Sequence, residues 1–247
     1  MLASVEAHAV RSPPRKLVQE PSVHCTGAIH RGPPPAAPQL ALKVERRPDV
    51  RTVKQECKVL RHLQGCSKVT RVHDSGSHQN LHFMVMDLLG PNLADARRAE
   101  PEGRVAAAAA KVVGASLLAA LQQLHRAGYI HRDVKPANFA VSPPSAALTL
   151  GEWVLIDFGL ARKFVDDAGR ALAEREDASF RGTTTYASVH AHDDKDLSRR
   201  DDLWGWFYML VELLEGEAAA SMWMQRAACA SWPGSCLPHR GISRSLS

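Results

Sequence analysis

From Gln39 onward, short apolar runs and polar breaks predict strands first and helices after. LALKVE, Leu40 to Glu45, alternates as a half-buried strand does. Asp49 to Leu63 predicts a helix, with Val53, Cys57, Leu60 and Leu63 on one face. Val69 to Val72 and Leu81 to Leu88 read as a strand pair, with the polar run Asp74 to Asn80 as the turn between them. A long helix is predicted over roughly Val105 to Arg126. Ala106 to Ala110 favours helix, Leu117, Leu121 and Leu124 form its apolar stripe, and Gly128 stands where it would stop. Asp201 to Gly216 predicts another helix. Leu203, Phe207, Leu210 and Leu214 recur at helical spacing and predict its buried face.

The two ends differ from this middle. GPPPAAP, Gly32 to Pro38, suits neither a helix interior nor a central strand. Residues 1–38 are expected to be disordered or unrelated to the patterned middle of the chain. Residues 218–247 carry Trp223, Cys229, Trp232, Pro233, Cys236 and Pro238 without periodicity, and predict an irregular tail. No run is expected to reach membrane-spanning length, and no apolar signal core stands at the N-terminus. A cytoplasmic or nuclear location is the resulting expectation.

Composition changes this picture little. The 247 residues contain 45% hydrophobic and 23% charged side chains, values usual for a globular chain with room for one large domain or two lobes. The net charge of +5 suits anionic ligands, but no basic cluster interleaved with aromatics points to nucleic acid. The five cysteines have no metal-ligand spacing and are expected as free thiols.

Candidate chemistry gathers in two strings, YIHRDVKPANFA (Tyr129 to Ala140) and VLIDFGLAR (Val154 to Arg162). Phosphoryl transfer needs a positioned hydroxyl, divalent cations and positive groups on the transferring oxygens. Asp133 is placed to accept or orient the hydroxyl proton, and Lys135 to reach a γ-phosphate. Asn138, five residues after Asp133, offers a carbonyl oxygen to a metal, and Asp157 a hard carboxylate suited to Mg2+.

These strings resemble the catalytic and metal-binding loops of protein kinases, and more narrowly the casein kinase I group, with tau-tubulin kinases closest. HRDVKPANF (His131 to Phe139), RGTTTYAS (Arg181 to Ser188), MVMDLLGPNL (Met84 to Leu93) and RRDDLWGWFYMLVE (Arg199 to Glu212) carry the resemblance, which covers residues 39–217. It implies a two-lobed α+β kinase fold, with residues 39–90 in the N-lobe and 91–217 in the C-lobe. It further implies that Lys43 holds the α- and β-phosphates of ATP and pairs with Glu56. Met86 falls at the gatekeeper place, and Leu88 and Leu89 where backbone groups meet adenine. Thr183 helps fix the catalytic loop, Asp202 anchors its backbone, and His131 packs beneath Phe158. Arg181 belongs to a basic pocket favouring acidic or already phosphorylated protein substrates.

Two departures qualify the expectation. Upstream of Lys43 no GxGxxG loop is present to cover the phosphates, so the N-lobe is expected to be incomplete, without its first two strands. After Gly216 the resemblance stops, which leaves the C-lobe incomplete and the helix before it partly uncovered. The reading is therefore an ATP- and Mg2+-dependent serine/threonine kinase, with a catalytically impaired binding module or a non-functional fragment as the alternatives.

Overall fold

The computed structural model describes residues 7–10, 40–45, 52–142, 151–176, 178 and 181–216. The Pro-rich run Gly32 to Pro38 and the tail 218–247 lie outside the described residues. So do the first three positions of the helix expected from Asp49.

The N-lobe is a four-stranded antiparallel sheet with one helix against it. Strands β1 (Ala7–Val10), β2 (Leu40–Val44), β3 (Val72–His78) and β4 (Leu81–Asp87) stand in the order β1-β2-β4-β3. Strand β1 comes from the stretch expected to be disordered. Its backbone pairs along β2, with Ala7 opposite Lys43 and Val10 opposite Leu40, so a strand does occupy the second edge of β2. An exposed strand edge is a row of unpaired N–H and C=O groups, and extended backbone of any composition can satisfy it.

Helix α1 (Thr52–His62) packs on this sheet through Val53, Cys57, Val59 and Leu60, with Leu63 buried just beyond it. Glu56 lies on the same buried side, the one charged residue of α1 among the described residues to do so. The expected turn over Asp74 to Asn80 is corrected. Asp74 to His78 belong to β3, and the turn is Gln79 and Asn80 alone, at φ 49° and 64°. Two left-handed residues close a tight hairpin whose twist matches its strands, so four polar residues and Gly76 remain free to join the ladder. Val69 is not in a strand with Val72; it bridges Leu155 of the C-lobe in parallel.

The C-lobe is built on two helices, α3 (Ala107–Arg126) and α5 (Arg199–Glu215). Shorter elements attach to them: α2 (Leu93–Arg98), the pairs β5 (Tyr129–Ile130) with β8 (Arg162–Lys163) and β6 (Phe139–Ser142) with β7 (Glu152–Leu155), and α4 (Val189–His192). Helix α3 corrects one expectation. At 20 residues, with an 18-residue mean hydropathy of 1.3, it is long and apolar enough to span a membrane. Here it is a core helix, with Val113, Leu117, Leu121 and Leu124 at 1% exposure or less. It ends at Gly128, whose φ of +83° reverses the chain into β5.

The buried face of α5 is also corrected. Leu203 and Phe207 are 40% and 45% exposed, and Leu214 is exposed beside them. The face turned inward carries Asp201, Asp202, Gly205, Tyr208, Met209, Glu212 and Leu213. Hydropathy assigns acids to solvent, but each of these three acids has buried hydrogen-bond donors waiting for it. A Cβ on Gly205 would stand 2.9 Å from Val134 Cβ and 3.0 Å from Val134 O, so the inward face also needs its glycine. Cys57 and Cys66 are free thiols.

Candidate active site

The catalytic loop follows β5 and hangs from α5 by one side chain. Asp202 is 2% exposed, and its carboxylate accepts from His131 N (2.8 Å), Arg132 N (2.9 Å) and His125 Nε2 (2.8 Å). This anchoring lets Arg132 hold a φ of +69°, a left-handed conformation that is costly without support. His131 is buried beneath Phe158, edge to face at 5.3 Å between centroids. Its Nε2 donates to Ile156 O (3.1 Å) and its Nδ1 accepts from Asp133 N (3.3 Å), so the ring joins the two functional strings and takes no part in chemistry.

Asp133 is 8% exposed and fully engaged. One oxygen accepts from Thr183 N (2.9 Å); the other meets Lys135 Nζ (2.7 Å) and Asn138 Nδ2 (3.2 Å). Burial works against its charge, but the hydrogen bond and charge of Lys135, then the Thr183 bond, more than reverse that. The carboxyl is held below the ordinary aspartate range. Lys135 Nζ also donates to Thr183 Oγ1 (2.8 Å), which closes a ring of Asp133, Lys135 and Thr183. Asn138 Nδ2 donates to Asp133 O (2.8 Å), so its amide nitrogen is committed to the loop and its carbonyl oxygen is left for other duty.

Across the cleft, Lys43 Nζ lies 2.6 Å from Glu56 Oε2 and 3.6 Å from Asp157 Oδ1. Burial disfavours the Lys43 charge, and pairing with Glu56 and Asp157 outweighs it, so the ammonium stays protonated above the ordinary lysine range. Glu56 Oε1 accepts from Phe158 N (3.3 Å), which ties α1 to the start of the stretch from Asp157 to Ser188, the activation segment that the kinase resemblance implies. Asp157 sits at φ +62° with its side chain half exposed. Met86 is partly buried opposite Ala41 in the sheet. Leu88 and Leu89 follow β4 directly. Asp87 N and Gly90 N are bonded to Arg71 O (3.1 Å) and Val141 O (2.9 Å), and between them the Leu88 and Leu89 backbone is unpaired among the described residues.

RGTTTYAS is held from below. Tyr186 Oη donates to Glu212 Oε2 (2.7 Å), and Glu212 pairs with buried Arg97 (2.8 Å). Ser188 Oγ donates to Asp201 Oδ1 (2.6 Å). Burial lowers the Arg132 pKa, and repulsion from Arg175, Arg162 and Arg181 adds to it.

The structure thus joins Asp133, Lys135, Asn138 and Thr183 in one bonded group and Lys43, Glu56 and Asp157 in another, and Ile156 N, beside Asp157, donates to Asn138 O (2.9 Å). Sequence reading missed His125, Arg97, Glu212 and Asp201. His125 had a signal: it lies four residues after Leu121 and so falls on the buried stripe of α3, where a polar side chain needs a partner. For Arg97 no such signal exists, because its partner is 115 positions away.

As for the cofactor, Asp157 and Asn138 are hard oxygen donors, and no cluster of three or more His, Cys, Asp or Glu that could hold a metal exists among the described residues. Two protein ligands fit an ion that completes its shell with phosphate oxygens and water, as Mg2+ does.

Comparison with known proteins agrees with this geometry. The protein kinase domain family matches residues 36–228. A probable serine/threonine-protein kinase of Dictyostelium discoideum is 45% identical over 185 residues, 72% of this chain and 36% of that protein. The serine/threonine-protein kinase spe-6 of Caenorhabditis elegans is 36% identical over 181 residues, 71% of this chain and 46% of that protein. A putative casein kinase I of the same nematode is 35% identical over 164 residues, 66% and 47% of the two chains. The chain spans less than half the length of these relatives. The family match covers most of the chain, so the chain belongs to the protein kinase domain family and has casein kinase I-like relatives.

Proposed function

We propose that this chain transfers the γ-phosphate of ATP to serine or threonine hydroxyls of proteins in the manner of the casein kinase I group, with tau-tubulin kinases as the nearest kind. The observation that carries the reading is the ring of Asp133, Lys135 and Thr183 together with the Lys43–Glu56 pair, with Asp157 3.6 Å from Lys43.

Lys43 would hold the α- and β-phosphates, with Glu56 keeping its side chain extended into the cleft. Asp157 and Asn138 would hold Mg2+, and Leu88 and Leu89 would receive the adenine edge, with Met86 behind them. When bound, Mg-ATP supplies the phosphoryl group and spreads the charge that develops on it. Asp133 receives the substrate hydroxyl and orients it. Its carboxylate is a weak base because Lys135 and Thr183 N hold its charge. That suits a loose transition state, in which the attacking oxygen needs direction more than deprotonation. Lys135 places a positive charge beside the same carboxylate for the transferring oxygens. The arginines around Arg181 support a preference for acidic or already phosphorylated protein substrates. We place this activity in the cytoplasm or nucleus.

A second reading, a non-catalytic module that binds partners through the same fold, is favoured by one observation: no GxGxxG stands upstream of Lys43. Thermal unfolding with and without Mg-ATP, beside Asp157→Ala, separates the two. Nucleotide binding raises the wild-type midpoint and leaves the variant unmoved. Phosphate transfer to an acidic peptide, abolished by Asp133→Asn, supports the kinase. A folded wild type with neither response supports the binding module.

A further inference from the structure

Helix α5 carries a second face that neither the core nor the site uses. Leu203, Trp204, Phe207 and Leu214 each keep more than a third of their surface exposed. Arg200, Trp204, Phe207, Val211 and Leu214 recur at i, i+4, i+7, i+11 and i+14, so they form one line along the helix. From Leu203 to Leu214 this apolar stripe is about 17 Å long. Its aromatic side chains already pack side by side. Trp204 stands edge to face with Phe207 at 5.8 Å between centroids and meets Tyr208 at 5.7 Å. A monomer seldom leaves so continuous an apolar patch in water, and ordered aromatic side chains are the usual anchors of an interface.

The charges at the two ends of the stripe say what fits it. Arg200 stands at the N-terminal end and Glu215 at the C-terminal end, and both are exposed. Arg200 lies 3.6 Å from Asp201 and Glu215 lies 3.3 Å from Arg104, surface pairs that contribute little and leave both charges open to a partner. Laid antiparallel on a second α5, with Phe207 near the twofold axis, Arg200 of each copy meets Glu215 of the other, and Trp204 meets Val211. A twofold axis satisfies both ends at once. Residues 218–247, which follow α5 in the chain, hold three arginines and no Asp or Glu. That segment has no acidic side chain to set against Arg200, and a second copy has one.

We propose that the exposed face of α5 is a self-association surface, on which two copies of this chain pair antiparallel through Trp204 and Phe207, with Arg200 against Glu215 at each end. A standard interface takes about 800 Å2 from each partner. About three turns of one helix supply less than that, so the dimer is weak and dissociates on dilution. The pairing does not depend on phosphate transfer and would stand if the catalytic reading failed.

Sedimentation equilibrium of the full chain tests it. The apparent mass rises with concentration from that of one chain toward that of two. Phe207→Ser, on the solvent face and so compatible with the fold, raises the dissociation constant roughly tenfold or more. Arg200→Glu and Glu215→Arg each weaken the dimer as well, because like charges then face each other at both ends. An equimolar mixture of these two variants regains the dimer, since one copy then presents acid at both ends and the other base. A helix weakened only in its own fold cannot be rescued by a second altered copy. If Glu215→Arg fails to fold for want of its Arg104 pair, the comparison of Arg200→Glu with Arg200→Lys decides, because the lysine keeps the charge and the dimer. A wild type that is monomeric at every concentration overturns the proposal and leaves the stripe to residues 218–247 or to another protein. A dimer that survives Phe207→Ser overturns it too, and so does a mixture of the two folded charge variants that stays monomeric.

Discussion

At the scale of single residues, the site rests on buried carboxylates that each serve several donors. Asp202 is the extreme case, with two backbone N–H groups and one imidazole on a side chain 2% exposed. Asp202→Ala leaves all three donors buried and unpaired, and an unmade buried hydrogen bond costs about 1–3 kcal/mol. We expect a loss of about 3 kcal/mol or more in urea unfolding, against about 0.5 kcal/mol or less for Asp193→Ala, whose partner Lys195 is a surface lysine. Much of this was legible beforehand. The spacing of Asp133, Lys135, Asn138 and Asp157 marks a phosphoryl-transfer site because that chemistry needs an acid, a cation and metal ligands within a few residues. The partners of those groups were not legible. His125 and Arg97 acquire their roles from positions 77 and 115 residues away, and Asp196 meets Arg162 from 34 residues away.

At the scale of elements, hydrophobic periodicity reads α1 and α3 correctly and misreads α5. Val53, Cys57, Leu60 and Leu63 are buried as expected, and so are Leu117, Leu121 and Leu124. In α5 the same rule selects Leu203, Phe207, Leu210 and Leu214, of which only Leu210 packs against the core and the other three are exposed, and it passes over Asp201, Asp202 and Glu212, which are buried. The rule assumes that acids face water. It fails where tertiary structure brings an arginine, a tyrosine hydroxyl and backbone N–H groups to the helix. Stability separates the two faces: Met209→Ala should cost about 2–5 kcal/mol, whereas Phe207→Ser should cost about 1 kcal/mol or less. Chemical denaturation of both variants checks this, and equal losses would restore the face expected from periodicity. The β3–β4 hairpin makes the same point. A polar run looks like a long turn, yet two left-handed residues make the turn and the rest join the sheet.

For the whole molecule, the two lobes meet where charges converge. Lys43 and Glu56 belong to the upper lobe, Asp157 and Phe158 to the lower, and the Glu56 carboxylate bonds across to Phe158 N. Such a molecule carries an acid limit. Asp133 and Asp196 are both depressed in the folded state by lysine, arginine and backbone donors that outweigh burial. Their stabilisation is therefore fully present above the unfolded aspartate pKa of about 3.9 and is lost as pH falls through the lower folded values. Denaturation midpoints measured from neutral to acid pH should fall steeply below about pH 4 in the wild type. Asp196→Asn should start lower at neutral pH and fall less steeply, so the two curves converge at the acid end. Parallel curves would remove Asp196 from the acid limit. The family, strands β2 and β4, helices α1, α3 and α5, and the residues with chemistry to offer were legible in the amino-acid order, because each depends on spacing within short segments. The inward face of α5, the pairing of β1 with β2, and the carboxylates that hold the catalytic loop and the activation segment emerged only on folding. Those outcomes depend on donors and acceptors that meet across many tens of residues, and a buried charge goes where its partner is.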